Sequence, residues 1–184
     1  MRWVLRHPVV AGAVFALILI NVLYFFVSPQ EIVEYVGVGN TYLVTFLIAA
    51  IGGLSTITGT TLYAAMATFA SGGAHPVGIG LAGGAGIFLS DTVFFLLAAY
   101  GRAAIPPRFD RWVARIERTA QRLPVWCALV LVYLYLGFTP LPNDILMIAL
   151  VIGGFRYRQV APALLAGSFT IALLVAHLGE RWIF

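Results

Sequence analysis

The sequence has no lysine, one cysteine and few charged residues. Its eleven basic residues are all arginine, its acidic residues number seven, and charged residues make up 10% of the 184 positions. The single cysteine, Cys127, excludes an intramolecular disulfide and a zinc site built from thiolates. With 61% hydrophobic residues, the chain is too apolar for a soluble domain of this length. We therefore predict an all-α integral membrane protein.

The histidines and the net charge exclude further function classes. His75 and His177 have no second ligand at metal spacing, and no Ser/His pair lies at a plausible membrane depth. We therefore expect no metal, no cofactor and no enzyme activity. The net charge of +4 comes from arginines at segment ends, without an interleaved basic and aromatic surface. We expect membrane lipids as partners and no nucleic acid, and a homo-oligomer is compatible with the sequence.

Five apolar segments cover residues 8–28, 42–70, 76–100, 125–154 and 160–179. The second is interrupted by Gly52-Gly53 and a hydroxyl-rich stretch at 55–61, and the fourth by Pro140, Pro142 and Asp144. Each half spans ~15–22 Å as a helix, which is too short for a ~30 Å hydrocarbon core. Because prolines lack a backbone donor and a charge in lipid is costly, we expect both interruptions to be buried in protein or to line a wet cavity.

The arginines indicate which segments cross the membrane. If both interrupted segments enter and leave on one face, ten arginines lie on the N-terminal side and only Arg181 lies opposite. If all five segments cross, the arginines divide four against seven. Because arginine accumulates on the cytoplasmic side, the first arrangement is favoured, with a cytoplasmic N-terminus. It has three spanning helices and two re-entrant helical hairpins.

This topology gives the chain an internal repeat. Residues 42–102 hold a hairpin, Gly72-Gly73 and a span, while 125–184 hold a hairpin, Gly153-Gly154 and a span of opposite direction. Residues 1–41 are predicted to form an anchor helix and an external linker, and 103–124 to contain a cytoplasmic amphipathic helix. We predict a single membrane domain, 1–184, built as an inverted repeat of two oppositely oriented hairpins, as in many secondary transporters.

The interruption at 139–144 holds the first candidate site residues. Asn143 or Asp144 stands where a half-helix would begin, after a tip with Pro140 and Pro142, so either side chain can cap free amides. Asp144 can instead act as a protonatable switch, because a helix N-terminus favours the anion whereas desolvation favours the neutral acid. Both interpretations stay open.

The first hairpin places hydroxyls at the corresponding tip. Gly59 breaks the helix there, and Thr58, Thr60 and Thr61 surround it. These hydroxyls either line a polar path or only bond to the helix backbone.

Two charged residues complete the candidate set: Asp91 within the span 76–100 and Arg102 just after its end. Asp91 shares a helical face with Gly80 and Gly84, which directs it toward closely packed protein. It is a candidate for a structural contact with hairpin hydroxyls or an arginine, or for a proton relay. Arg102 lies further along that face, ~16 Å away, too far for direct pairing.

The chain combines four features that occur together in one family of membrane proteins. They are a polar hairpin tip, Gly83-Gly-Ala-Gly-Ile-Phe-Leu-Ser-Asp91 running on to Tyr100-Gly101-Arg102, a basic amphipathic loop, and Phe138-Thr-Pro140 ahead of Gly153-Gly154-Phe155. Over about residues 42–181 the chain resembles the DedA family, also called the VTT or SNARE-associated superfamily. The resemblance implies movement of lipid across bilayers, such as undecaprenyl phosphate recycling in bacteria and phospholipid scrambling in eukaryotes, with proton coupling in some members.

The chain departs from that family pattern at both tips. In family members the first tip usually carries an acidic residue, which is absent from Thr56-Ile-Thr-Gly59-Thr60 in this chain. Arginines usually flank the second tip, and this chain has Gly137 and Asn143 at those positions. We expect a divergent DedA-type transporter or scramblase in a bacterial inner membrane, moving a lipid with an anionic headgroup, with or without proton coupling. A structural or assembly protein and a small-solute exporter stay as alternatives.

The two hairpins can be tested with single cysteines at Thr58→Cys and Leu141→Cys in a Cys127→Ala background. We expect an impermeant maleimide to label the two positions from opposite faces of oriented vesicles, because the hairpins enter from opposite sides. Arg158→Cys marks the cytoplasmic face. If neither tip is labelled from either face, no wet cavity reaches the tips and the hairpin prediction fails.

Overall fold

The computed structural model of the chain describes residues 40–52, 59–102, 110–120, 122, 124–139 and 143–182. These residues form seven helices and no strand: α1 Thr41–Gly52, α2 Gly59–Ser71, α3 Pro76–Arg102, α4 Asp110–Ala120, α5 Val125–Phe138, α6 Asn143–Ile152 and α7 Tyr157–Trp182. The all-α prediction is confirmed for this part of the chain. The predicted anchor helix and both hairpin tips lie mainly in 1–39, 53–58 and 140–142, outside the described residues.

Two of the helices, α3 and α7, are long and apolar enough to cross a membrane. They have 27 and 26 residues, or ~40 Å of helix against a ~30 Å hydrocarbon core. Within the described ranges a third span arises only if α4 and α5, bent by 98°, are counted as one. The arginines of α4 make that a costly span. The helices α1, α2, α5 and α6 have 12, 13, 14 and 10 residues, and each is too short to cross alone.

Glycines allow α3 to lie close to its neighbours. A Cβ on Gly80 would lie 2.5 Å from a methyl carbon of Leu173 in α7, and a Cβ on Gly86 would lie 2.5 Å from the carbonyl oxygen of Phe46 in α1. Because glycine has no Cβ, the backbones approach more closely than any other residue allows. The expected close packing around the Asp91 face of α3 is confirmed.

Two apolar clusters lie at opposite ends of the α3 and α7 pair. The first cluster joins Ile79 near the start of α3 to Ala176 near the end of α7, together with α1 and α2. The second cluster joins Phe95 in the last third of α3 to Leu164 early in α7, together with α5 and α6. Since the start of each long helix packs with the end of the other, α3 and α7 run antiparallel.

The turns before α3 and α7 have the same structure. Gly73 and Gly154 have φ values of 93° and 81°, which glycine adopts without strain. The amide of Ala74 donates to Phe69 O and that of Phe155 to Leu150 O, each at 3.1 Å, while Gly73 and Gly154 donate to Ala70 O and Val151 O. This is the Schellman pattern at both helix ends. Gly73 and Gly154 are 81 residues apart (154 minus 73). The same spacing separates the ends of α2 and α6, at 71 and 152, and the starts of α3 and α7, at 76 and 157.

The helix packing follows this repeat. The long helices α3 and α7 pack most extensively against each other. In addition, α3 packs against α1 of its own half and α6 of the other, and α7 packs against α5 of its own half and α2 of the other. Each short helix that follows an interruption therefore lies on the long helix of the opposite half. The two halves depend on each other for their packing.

We expect Gly86→Ala to lower the midpoint of thermal unfolding in detergent. The new Cβ would meet the α1 backbone, where no side chain can move aside, and such overpacking costs about 1–3 kcal/mol. Gly101→Ala is the matched control, since nothing lies within 4 Å of its added Cβ. Equal midpoints for both variants would contradict the close α1 contact.

Candidate functional site

A carboxylate is buried between the two long helices. Asp91, from the middle of α3, is 1% exposed. The Asn143 Nδ2 atom donates to both carboxylate oxygens of Asp91, at 3.1 and 3.4 Å, and the Ser168 Oγ atom of α7 lies 3.3 Å from Asp91 Oδ2. A charged group without water is tolerated only when its oxygens accept hydrogen bonds, and these two side chains supply them. We call these three residues the polar cluster.

The polar cluster lies where the two apolar clusters meet. Along α3, Asp91 follows Ile87 of the first cluster and precedes Phe95 of the second, and along α7 Ser168 lies between Leu164 and Ile171. Asn143 reaches the cluster from the first residue of α6, directly after the interruption at 140–142. The site therefore combines two long helices with the N-terminus of a short helix, where the helix dipole favours negative charge.

Ser168 gives the cluster two hydrogen-bonding arrangements. Its hydroxyl has one proton, yet it lies 2.7 Å from the Leu164 carbonyl oxygen and 3.3 Å from Asp91 Oδ2. When the hydroxyl donates to Leu164, a protonated Asp91 can donate to Ser168 Oγ; when Asp91 is ionised, the hydroxyl can turn to donate to the carboxylate. The local hydrogen bonding can therefore follow the protonation of Asp91.

The repeat relates this site to a second, apolar site, and each of the two sites takes residues from both halves. Moving 81 residues along the chain leads from Asp91 to Ala172, from Asn143 to Leu62 and from Ser168 to Ile87. These three residues are also buried and belong together to the first apolar cluster. We call them the apolar counterpart. The fold thus accepts apolar residues at equivalent positions, so the polar cluster occupies only one of the two sites that the repeat relates.

The structure brings together two of the residues predicted from the sequence and separates others. Asn143 and Asp91 are in contact, whereas the sequence suggested a hairpin hydroxyl or an arginine as the partner of Asp91. Asp144 is half-buried in the first turn of α6. The remaining predicted residues are placed as follows: Gly59 and Thr60 begin α2, Thr61 is half-buried one residue later, and Thr58, Pro140 and Pro142 lie outside the described residues.

Arg102 lies at a different site, at the end of α3. Its Nη1 atom donates to the Val151 carbonyl oxygen at 2.7 Å, and its Nη2 atom forms a salt bridge of 2.8 Å with Glu117 of α4. Val151 is in the last turn of α6, where free carbonyls and the helix dipole favour a cation. Arg102 therefore ties α3, α4 and α6 together, and its expected distance from Asp91 agrees with this position.

Sequence reasoning missed Ser168 and Glu117. Ser168 stands in an apolar span, where a serine usually bonds only to the carbonyl four residues earlier, so nothing marked it as a partner of Asp91. Glu117 stands among the arginines of an amphipathic helix, where pairing within the helix is the ordinary expectation. An internal comparison at 81-residue spacing would have aligned Ser168 with Ile87 and shown a polar residue at a core position.

The polar cluster offers a carboxyl group, an amide and a hydroxyl, which suits proton binding or recognition of a polar group. Across the described ranges, no three His, Cys, Asp or Glu side chains are grouped to hold a metal ion.

Comparison with models of protein families, with curated proteins and with solved structures finds no match to the chain. The DedA resemblance consequently rests on the sequence motifs alone.

The contact between Asn143 and Asp91 can be measured with a double-mutant cycle. We expect Asn143→Leu to lower the free energy of unfolding by about 1–3 kcal/mol, because it removes a donor from a buried carboxylate. In an Asp91→Ala background no carboxylate remains to accept the hydrogen bond, so we expect Asn143→Leu to change the free energy of unfolding little. SDS titration in mixed micelles measures all four proteins, and equal costs in both backgrounds would show that the contact contributes no stability.

Proposed function

We propose that this protein is a compact multi-pass transporter or scramblase of the DedA type, which moves a lipid with an anionic headgroup across a bacterial inner membrane. Its N-terminus lies in the cytoplasm, and undecaprenyl phosphate and phospholipids are the substrate classes that the resemblance implies. The protein acts as a transporter and not as an enzyme.

The observation that carries the proposal is the contact of the buried Asp91 carboxylate with Asn143. Ionisable residues within membrane segments are rare, face the interior of the bundle and mark substrate or proton pathways. In transporters built from inverted repeats, sites form at the repeat interface from interrupted helices. Asp91 lies on α3, one of two antiparallel long helices, and contacts the first residue of α6, which packs across from the opposite half.

In the proposed mechanism the headgroup meets the N-termini of α2 and α6, where free amides attract an anion. The re-entrant hairpins bring these N-termini to the membrane interior from opposite faces. Asp91 and Asp144 bind and release protons as the headgroup passes, and Ser168 changes its hydrogen-bond acceptor with the protonation of Asp91. Relative movement of the two halves then opens the site to each face in turn.

A structural role is the principal rival, and one observation favours it. Among the described residues, every buried side-chain nitrogen or oxygen has a hydrogen-bond partner. A fully satisfied cluster can serve only to orient helices. Under that alternative the protein supports membrane assembly and transports nothing. Export of a small solute is a third alternative, distinguished by measuring lipid and solute flux in the same vesicles.

The decisive experiment replaces the polar cluster with the residues of its apolar counterpart. Asp91→Ala, Asn143→Leu and Ser168→Ile are combined in one chain and assayed for headgroup flipping in proteoliposomes, alongside Asp91→Asn and Asp144→Asn. Because replacing all buried partners by apolar groups is often neutral for stability, we expect the triple variant to fold. Its flux should fall to that of protein-free vesicles, since the proton-binding group buried between the two long helices, Asp91, is absent from it.

Thr68→Ala is the matched control, because its exposed hydroxyl bonds only to the Ala64 carbonyl oxygen. We expect native flux from it. If Asp91→Asn, Asp144→Asn and the folded triple variant all transport lipid at the native rate, the proposed roles are wrong. If native protein shows no flux of lipid while the triple variant only changes stability, the structural alternative is correct.

A further inference from the structure

An open groove of about 820 Å³ lies between α4, α5 and α6. Its walls are mostly aliphatic and aromatic, with Ile116 from α4, Leu131 and Tyr135 from α5, and Leu146 and Leu150 from α6. Its volume lies within the ~300–1,000 Å³ typical of pockets that bind small molecules. The groove is concave, whereas most lipid-facing surface of a helix bundle is convex, so it can hold an acyl chain along its length.

A second pocket, lined mainly by arginines, adjoins this groove. It has a volume of about 650 Å³ and is formed by Arg111, Arg115, Arg118 and Arg122 with Ala114 and Thr119, and Arg115 and Thr119 line both pockets. The spacing of the four arginines places them on one face of α4 and its C-terminal end. We call them the arginine face. None of the four forms a salt bridge with a described side chain.

We propose that these two pockets together form a binding site for one anionic phospholipid, with its phosphate on the arginine face and an acyl chain in the groove. Charge complementarity selects the headgroup, since arginine binds phosphate through several parallel N–H donors. Basic pockets beside membrane helices on the cytoplasmic side are known to bind anionic headgroups in this way. The apolar groove distinguishes a lipid from a free phosphate, because only a lipid fills both pockets.

This site is distinct from the polar cluster. None of Asp91, Asn143 and Ser168 lines either pocket. Leu150 does link the groove to the second apolar cluster, so a bound lipid would contact the same helix, α6, that carries Asn143. The inference does not depend on transport, and the lipid is held at the membrane surface whether or not the protein moves lipid across.

The binding site can be tested by tryptophan quenching in vesicles. With Trp3→Phe and Trp182→Phe in the background, the remaining indoles are Trp112 on α4 and Trp126 on α5, which are 68% and 67% exposed. Dibrominated phosphatidylglycerol or dibrominated phosphatidylcholine is added in increasing fraction to vesicles of unbrominated phosphatidylcholine. We expect half-maximal quenching at a much lower fraction of the anionic lipid, and higher salt should weaken this preference.

Two comparisons separate the contributions of the headgroup and the acyl chain from general effects at the surface. One compares two double variants at arginines, and the other compares two single variants at alanines. Arg115→Gln with Arg118→Gln should lower the preference for the anionic lipid by about tenfold. Arg156→Gln with Arg158→Gln, which removes two exposed arginines outside the groove, should leave it unchanged. Ala149→Phe fills the groove and should weaken quenching by both lipids, whereas Ala166→Phe, at an exposed position of α7, should not.

Three results would overturn the proposal. An equal effect of the two arginine pairs would mean attraction to the surface as a whole. Unchanged quenching in Ala149→Phe would mean that no lipid chain lies in the groove, as when residues 1–39 or a second copy of the chain fill it. Full competition by soluble glycerol 3-phosphate would mean that the arginine face binds a free phosphate without the groove. Loss of lipid flux with intact quenching would concern the proposed function only.

Discussion

The close antiparallel contact of α3 and α7 is the constraint on which the rest of the structure depends. Gly80 and Gly84 leave no Cβ between the helices, so Leu173 and Phe169 of α7 approach the α3 backbone. In this arrangement each long helix offers one half of its length to each apolar cluster, and the four short helices bury their apolar sides against them. The carboxylate of Asp91 is buried because it lies at the centre of this contact.

Packing alone does not explain why a carboxylate occupies this buried position. A buried polar group gains from its hydrogen bonds about what it loses in desolvation, and apolar replacements of similar volume are often no less stable. The repeat provides this comparison, since Leu62, Ile87 and Ala172 occupy the equivalent positions at the second site. A repeat that folds with apolar residues at one site and polar residues at the other points to a task for the polar one.

The helix α4 is joined to this interior through Arg102. The Glu117 side chain joins Arg102 at the end of α3, and Arg102 also bonds to Val151 at the end of α6. Both partners of the salt bridge are about one-third exposed, so the pair contributes only a fraction of a kcal/mol by itself. Its importance is positional: it holds α4 so that its arginine face lines one pocket and its apolar side lines the adjoining groove beside α6.

Composition, segment lengths and the paired glycines determined much of this protein from the sequence alone: a helical chain, two long helices apolar enough to cross a membrane, the amphipathic helix, and a repeat marked at Gly73 and Gly154. These features depend on local periodicity and on single residues with special backbone freedom, which the chain displays without its fold. The sequence also singled out Asp91 and Asn143, because a charge in an apolar span and an amide at a helix start are conspicuous. It did not join them or find Ser168, because 52 and 77 residues separate these partners from Asp91. Only the antiparallel packing of α3 and α7, with α6 crossing from the other half, brings the three side chains within hydrogen-bond distance.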